Sequence, residues 1–595
     1  MPDYKAPLQD MRFFLYDVLN VEEAYKKIPE YAAFSRDDYD PVLDEQAKFA
    51  EKVVAPLNPV GDKEGVQFKD GEVTLPKGWK ESYDMYVENG WPLIGHEEEY
   101  GGAGLPQFIG TCFSEMLYSA SYCWSMLPGL TTAAVRVVKT QASDEVKNLI
   151  LDKMIRCQWY GTMCLTEAHC GTDLGLVRTK AEEDGKHYKI SGSKIFISGG
   201  DHDAAENIVH LVLARLPGAP KGTKGISLFA VPKYKVKEDG SMGEFNKVTV
   251  SSIEHKMGIK ASPTCVLNFE GSEGFIIGEP NKGLSYMFIM MNMARIGTGT
   301  QGLAVGEASY QGARDYAKDR LQMRSITGPK NPDGEADPII VHPDIRRMLL
   351  TQRAIAEGGR ALALYTTCLS DVNRKSEDKA DAEKAGEILE LITPILKAFL
   401  TETGVESSNL GMQVLGGHGY IWESGMEQLA RDARIGPIYE GTTGIQALDL
   451  LGRKVLMNQG RSLKILTDEI LEFCKENSGG EMATIAGPVQ KKVEEWLGLT
   501  EKITAAAMQN PEEVGAASFD YIMYGGWVIL GWFHARMAKA AMDQLASGKG
   551  DKEFCEAKVM LAKFYMARLL PRTDSHAVTM MSGAASLMDM PENLF

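Results

Sequence analysis

Residues 431–446 read Arg-Asp-Ala-Arg-Ile-Gly-Pro-Ile-Tyr-Glu-Gly-Thr-Thr-Gly-Ile-Gln, which sets Glu440 between the ring of Tyr439 and Gly441. A carboxylate in this stretch, with Ile435, Pro437 and Ile438 close by, is partly desolvated if folding buries it. Desolvation raises a carboxyl's pKa and makes its anion a better proton acceptor. Gly441 lets the backbone pass close to a ligand. Taken alone, Glu440 reads as a solvated loop residue, as most glutamates are; the remainder of the chain changes that reading.

The chain has 595 residues, too many for one core and suited to three or four domains of ordinary size. With 64 basic and 81 acidic residues the formal charge is 64 − 81 = −17, which argues against nucleic acid or an anionic membrane as the main partner. A local basic pocket for an anionic cofactor is still compatible with it. The nine cysteines form no Cys-x-x-Cys pair and are odd in number, so neither a disulfide framework nor a metal site is expected. A reducing compartment, the cytoplasm, is the natural setting. Met1–Asp10 has no signal-peptide pattern, and the longest apolar run, Tyr521–Phe533, is too short for a bilayer and reads as a buried core helix.

The elements that must position Glu440 follow from hydrophobic period. Residues 1–40 read as an extension packed on the body. Three- and four-residue spacings begin at Pro41 and recur through Glu145–Met154 after Asp144 as N-cap, so 41–158 reads as a helical domain interrupted by the turn Glu99–Gly104. Alternation then takes over in Lys186–Ile190 and Lys194–Ser198, with Asp184-Gly185 as a tight turn, and Ile208–Ala214, Ile226–Val231 and Val266–Phe269 are further β-rich runs. Residues 159–282 read as a middle β domain. Helical spacing returns over 283–457, where the loop Thr327–Pro343 separates two long helices; Arg453–Gly460 reads as a hinge, and 461–595 as an additional helical domain broken at Asn477–Gly480 and Gly548–Gly550. The fold class is α+β, mostly α, with a β module inserted between helical domains.

Four segments carry a family resemblance: Leu165-Thr-Glu-Ala-His-Cys-Gly-Thr-Asp173, Ile190-Ser-Gly-Ser-Lys-Ile-Phe-Ile-Ser-Gly-Gly200, Gln413-Val-Leu-Gly-Gly-His-Gly-Tyr420 and Arg431–Gln446. Glu98–Gly104, Lys256–Ile259 and Tyr316–Arg320 add to them in the same order. Together they resemble the flavin-dependent acyl-CoA dehydrogenases from about residue 40 to 455. The extra ends are similar to those of the large subgroup that includes very-long-chain and 3-methylthiopropanoyl-CoA dehydrogenases.

The resemblance implies FAD as cofactor and Glu440 as the base that takes the thioester's α proton, its own N–H helping to hold the developing enolate oxygen. The family's second location for a base is the helix carrying Asn292, Met293, Ala294 and Arg295, where Ala294 cannot serve. Leu165 and Thr166 match residues at the flavin's reactive edge, and Phe196 and Ser198 stand where the family usually has tryptophan and threonine. Gly171 and Thr172 keep backbone donors for phosphate or pantetheine although the turn departs from Pro-Gly-x-Gly-Ser-Asp. Arg320, Gln413, Gly416 and Gly417 match residues that reach the FAD of a neighbouring subunit, so a homo-oligomer is implied, with a dimer expected because the C-terminal domain could replace a second dimer pair. Thr442 follows the base as in the family; Gly444 replaces its usual glutamine. Arg295, Tyr439, Gly441 and Thr172 fall on the substrate side, and Ser125 and Gly129, by position, on the floor of the acyl pocket. His169 and Cys170 have no assigned role.

The implied function is α,β-dehydrogenation of acyl-CoA thioesters in β-oxidation, with straight medium- to long-chain acyl groups first and the 3-methylthiopropanoyl thioester second. Electrons would pass to an electron-transfer flavoprotein. The alternatives are an acyl-CoA oxidase and a non-catalytic acyl-CoA-binding scaffold. Membrane contact by the C-terminal helices is the less favoured reading, because acids are spread through Asp468–Glu495.

Overall fold

Alternate residues of the middle strands serve two different cores. In the strand Asn207–Ala214, Val209, Leu211 and Leu213 join one buried cluster, and Val212 and Ala214 join another. In Ser227–Pro232, Leu228 and Ala230 fall in the first cluster and Phe229 and Val231 in the second. Successive side chains leave a strand on opposite faces, so a strand covered on both sides reads as an unbroken apolar run. That is why Ile208–Ala214 is legible as a strand without strict alternation.

The computed structural model describes residues 3–595. The chain forms two compact units: Met1–Ala47 with Pro106–Ser119 and Thr298–Phe595, and Lys48–Leu105 with Ala120–Gly297. The architecture is mostly helical with one β module, as the order of periods implies.

The second unit holds a seven-stranded sheet. Its strands are β1 (Trp159–Cys164), β2 (Lys180–Asp184), β3 (His187–Ser198), β4 (Asn207–Ala214), β5 (Ser227–Pro232), β6 (Val248–Ile253) and β7 (Thr264–Ile277). The order is β1-β4-β5-β7-β3-β2, with β6 also on β7; β1 and β4 are parallel and the other pairs antiparallel. The first cluster is closed by helices Tyr122–Gln141 and Asp144–Ile155 and by Met287 and Met290. Gly161 of β1 is required there, because a Cβ on it would sit 2.6 Å from the Cβ of Ala134. Two local expectations change. Ser143, not Asp144, caps the helix, its side chain accepting from Val146 N; it is the last extended residue before the helical turn, the position whose side chain can reach an orphan N–H. Lys186–Ile190 and Lys194–Ser198 are one strand, β3, and the Asp184-Gly185 turn joins it to β2.

The first unit is helical. Gly302 of the helix Gly283–Asp319 and Gly404 of the helix Lys379–Leu415 meet backbone to backbone: a Cβ on Gly302 would lie 2.3 Å from Leu400 O, and one on Gly404 2.5 Å from Gly302 O. The helix Glu512–Ser547 is buried all round from Tyr521 to Ala535, as a helix without a polar face must be. Phe399 meets Trp527 edge to face at 4.7 Å between centroids. The N-terminal extension packs on this unit through Phe13 on Phe554 and Phe14 on Phe533. Where Arg453–Gly460 reads as a hinge, helical structure continues to Leu456 and the turn occupies residues 457–460, with Gln459 and Gly460 at positive φ. Among the described residues no helix is long and apolar enough to cross a membrane.

Candidate active site

The candidate residues fall in both units. In the sheet unit, β1 ends at Cys164 and hands the chain to Leu165 and Thr166, whose carbonyl accepts from Ile195 N at 2.9 Å. Lys194 fixes this strand end. It is fully buried, and its Nζ donates to Leu165 O at 3.0 Å and to Glu167 Oε1 at 2.9 Å. The same Glu167 oxygen accepts from Thr179 N (3.0 Å) and Oγ1 (2.6 Å), and Oε2 accepts from Arg178 N at 2.8 Å. Burial works against the Glu167 anion, but Lys194 and these donors outweigh it and hold its pKa down to about 2. Burial draws the Lys194 pKa below its ordinary value, against the pull of Glu167.

Phe196 lies at a bulge. On β3, Lys194 pairs with Leu267 and Ile197 with Cys265, so three steps on β3 match two on β7. The extra residue is absorbed with Phe196 at φ +58°, a left-handed conformation that is rare for a bulky side chain and found where a strand is re-aimed. Its ring ends 59% exposed while Ile195 is half-buried and Ile197 buried. Ser198 pairs with Thr264. Gly171 and Thr172 are exposed, and a Cβ on Gly171 would touch Thr166 Cγ2 at 3.5 Å.

His169 and Cys170 gain a structural account. His169 Nε2 sits 2.9 Å from Leu176 O, and Glu167 and Cys170 exchange two backbone hydrogen bonds across the turn. Donor atoms of Glu167, His169 and Cys170 gather within 4.8 Å. Glu167 is already engaged by an ammonium and three other donors, which leaves it a poor ligand for a cation. Ser125 is buried with its hydroxyl turned onto Ser121 O at 2.9 Å, while Gly129 on the same helix is exposed; Arg295 is buried at 8% exposure.

In the helical unit, Glu440 is half-buried at φ +58°, followed by Gly441 at φ +86°. The turn is tethered at three points. Tyr439 OH donates to Gln301 Oε1, Gln446 Nε2 donates to Glu440 O at 2.9 Å, and Lys397 Nζ donates to Gly441 O at 2.6 Å. Gln446 and Lys397 are fully buried. Thr442 caps the helix Thr443–Leu448 by accepting from Ile445 N, and Thr443 Oγ1 donates to Glu402 at 2.6 Å. Arg320 closes the long helix Gly283–Asp319, and Tyr316, one turn earlier, places its OH 3.3 Å from His418 Nδ1. That contact brings the end carrying Arg320 beside the Gly416–Tyr420 turn, where Gln413, Gly416, Gly417 and Arg320 are all exposed.

Family models match almost the whole chain: the acyl-CoA dehydrogenase N-terminal domain over residues 36–158, the middle domain over 162–272, the C-terminal domain over 281–456, and an acetyl-CoA dehydrogenase C-terminal-like domain over 466–591. The chain belongs to the acyl-CoA dehydrogenase family. It is therefore an oxidoreductase of the CH–CH class. It is 42% identical over 570 residues to a 3-methylmercaptopropionyl-CoA dehydrogenase of Ruegeria pomeroyi, covering 95% of this chain and 96% of that one. It is 34% identical over 619 residues to the broad-specificity linear acyl-CoA dehydrogenase FadE5 of Mycobacterium tuberculosis, covering all of both. An acyl-CoA dehydrogenase of Bacillus anthracis, solved with FAD, shares the fold with a TM-score of 0.73 at 20% identity, over 93% of this chain and 89% of that one.

The residues missed in this acyl-CoA dehydrogenase's sequence are those behind the motifs: Glu167, Lys194, Gln301, Lys397 and Gln446. Glu167 and Lys194 lie inside two quoted segments, and a lysine between two isoleucine-bearing strand halves is a signal for an inward, paired charge. Lys397 sits in the apolar run Ile392–Leu400, where a lone lysine carries the same signal.

Proposed function

We propose that the protein removes hydrogens from the α and β carbons of acyl-CoA thioesters, with Glu440 taking the α proton and FAD as cofactor. The observation that supports this reading is the tethered left-handed turn, in which Glu440 would bring both a carboxylate and its own peptide N–H, the two carbonyls that follow being held by Gln446 and Lys397. The carboxylate accepts the proton, and the N–H of the same residue stabilises charge on the thioester oxygen.

The sheet residues fit a flavin. An exposed Phe196 ring on a rigid bulge is a platform for a planar ring, and the hydroxyls of Thr166 and Ser198 suit an edge that gathers negative charge. Leu165, Thr166, Gly171, Thr172, Phe196 and Ser198 would hold FAD from one chain, and Arg320, Gln413, Gly416, Gly417 and Thr442 from a neighbour, a guanidinium suiting a pyrophosphate. When bound, FAD supplies the hydride acceptor and an electron outlet to an electron-transfer flavoprotein. Exposure of Arg320 and Gln413 supports a homodimer as the smallest competent assembly. Nine free cysteines suit the cytoplasm.

Among substrates, the greater likeness to the 3-methylmercaptopropionyl-CoA enzyme, 42% against 34% for FadE5, favours the short sulfur-containing thioester over straight medium or long chains, reversing the order that the terminal extensions alone suggest. Purified Glu440→Gln should retain FAD and lose about 10²–10⁴-fold in flavin reduction by acyl-CoA; reduction at the wild-type rate removes Glu440 from the role. A turnover profile of the wild type from butyryl- to palmitoyl-CoA, with 3-methylthiopropanoyl-CoA included, decides the acyl group.

A further inference from the structure

Two carbonyls leave the Glu440 turn in succession, and both end on fully buried side chains. Gln446, on the short helix after the turn, takes Glu440 O; Lys397, in the middle of the helix Lys379–Leu415, takes Gly441 O. A peptide plane is rigid, so fixing its carbonyl fixes the N–H at the other end of the plane. Holding the carbonyls of 440 and 441 therefore fixes ψ of Glu440 and the plane on each side of Gly441. They brace the C-terminal side of an L-residue held at φ +58°, a well that ordinarily costs an L side chain about 1–2 kcal/mol and persists only where neighbours over-determine it.

An ammonium is an expensive group to bury for this purpose, since it loses its hydration and needs strong acceptors in return. A backbone carbonyl whose own partner in a helix or sheet is absent is such an acceptor. No substitute of the same length, methionine included, can donate to it. We infer that Lys397 is a positioning residue for the base: it holds the Gly441 carbonyl so that the backbone leaving Glu440, and with it the direction of the Glu440 carboxylate, keeps one conformation, with Gln446 as its counterpart on the Glu440 carbonyl. The inference rests on the reading of Glu440 as base, and it adds to the reaction two residues that act through the backbone of the turn.

The test isolates proton abstraction from hydride transfer. Acetyl-CoA has an α proton and no β carbon, so the holoenzyme can only move the proton to the Glu440 carboxylate and return a deuteron from D2O; no electrons are transferred. Wash-in of deuterium is followed by NMR for FAD-loaded wild type, Glu440→Gln, Lys397→Met and Gln446→Leu. Lys397→Met should exchange about 10²-fold more slowly, as a 1 Å misplacement of a reacting group does. Its half-saturating acetyl-CoA concentration should change less than about threefold and its FAD content not at all, whereas amide exchange in the segment 437–446 should quicken at least about tenfold. Gln446→Leu should show the same pattern and serves if Lys397→Met does not fold. Exchange lost in Glu440→Gln but within twofold of wild type in both positioning variants overturns this inference alone. Exchange unchanged in Glu440→Gln overturns the base assignment beneath it. Slower deuterium wash-in with unaltered amide exchange at 437–446 also overturns the inference, because Lys397 would then act by another route.

Discussion

The strand end at Leu165–Glu167 and the turn at Tyr439–Gly441 are built on different scaffolds, a twisted sheet and a stack of helices, yet each is held by a fully buried lysine that donates to one of its carbonyls. Lys194 takes Leu165 O at 3.0 Å and Lys397 takes Gly441 O at 2.6 Å. The difference lies in what each segment offers the ammonium. Lys194 also binds the Glu167 carboxylate, which three further donors saturate, so the sheet site is an ion pair locked into a ladder of strands. The contact of Lys397 with its turn is to a peptide carbonyl, and the turn it holds contains two successive left-handed residues. One segment is therefore kept in place by charge, the other by tethering a conformation the backbone would not choose. A sheet can afford a single anchor because its neighbouring strands already set the register; a turn between helices has no ladder and needs one tether for each peptide plane.

Breaking the charge should have the largest effect. Lys194→Met leaves the Glu167 carboxylate buried without its ammonium, a change that costs about 3–5 kcal/mol in comparable pairs. It should loosen FAD and lower the melting temperature of the apoprotein more than Lys397→Met does; an equal loss from the two would erase the distinction drawn above. The pair also sets an acid limb. Glu167 has a folded-state pKa of about 2, below the ordinary carboxylate value, so the unfolded chain takes up the proton first as pH falls. The stability it contributes is present above about pH 4.5 and is lost between there and pH 2. The protection of amides in the segment 165–170, taken relative to their intrinsic exchange rate at each pH, should thus fall with acid in the wild type and lose most of that slope in the double variant Glu167→Gln/Lys194→Met; an unchanged slope would mean that another carboxylate governs it.

This contrast also explains what could be read from sequence. Period gave the α–β–α order because the strands β4 and β5 and the helix at Tyr521–Phe533 bury both faces and leave unmistakable apolar runs. The residues proposed to react were legible because a motif names side chains by type and spacing. Their supports were not, because Lys194 and Lys397 act on backbone carbonyls of segments 29 and 44 residues away, a relation with no periodicity. The Asp144 cap failed for a smaller reason: Ser143 and Asp144 are both good caps, and only the extended backbone at Ser143, at ψ 157°, decides between them. The bulge at Phe196 was equally hidden, since β3 carries one residue more than β7 at that point and neither strand marks the extra one with glycine.

The smallest effect discriminates most finely. Gly441 sits at φ +86°, and a Cβ there would lie 2.6 Å from Gln446 Nε2. Gly441→Ala should therefore cost about 1–2 kcal/mol for the left-handed backbone and push the amide off the Glu440 carbonyl, slowing α-proton exchange along with it. Gly171 is the matching glycine of the sheet site, exposed beside Thr166. It has no positive φ, and an added Cβ would meet Thr166 Cγ2 at an ordinary 3.5 Å. Gly171→Ala should consequently change stability by less than about 0.5 kcal/mol, as surface substitutions without strain do, and leave FAD bound. Thermal unfolding of the two variants in parallel is the measurement. If alanine at 171 costs as much as alanine at 441, backbone strain does not set the two sites apart, and the tethers on the Glu440 turn are hydrogen bonds of no special consequence.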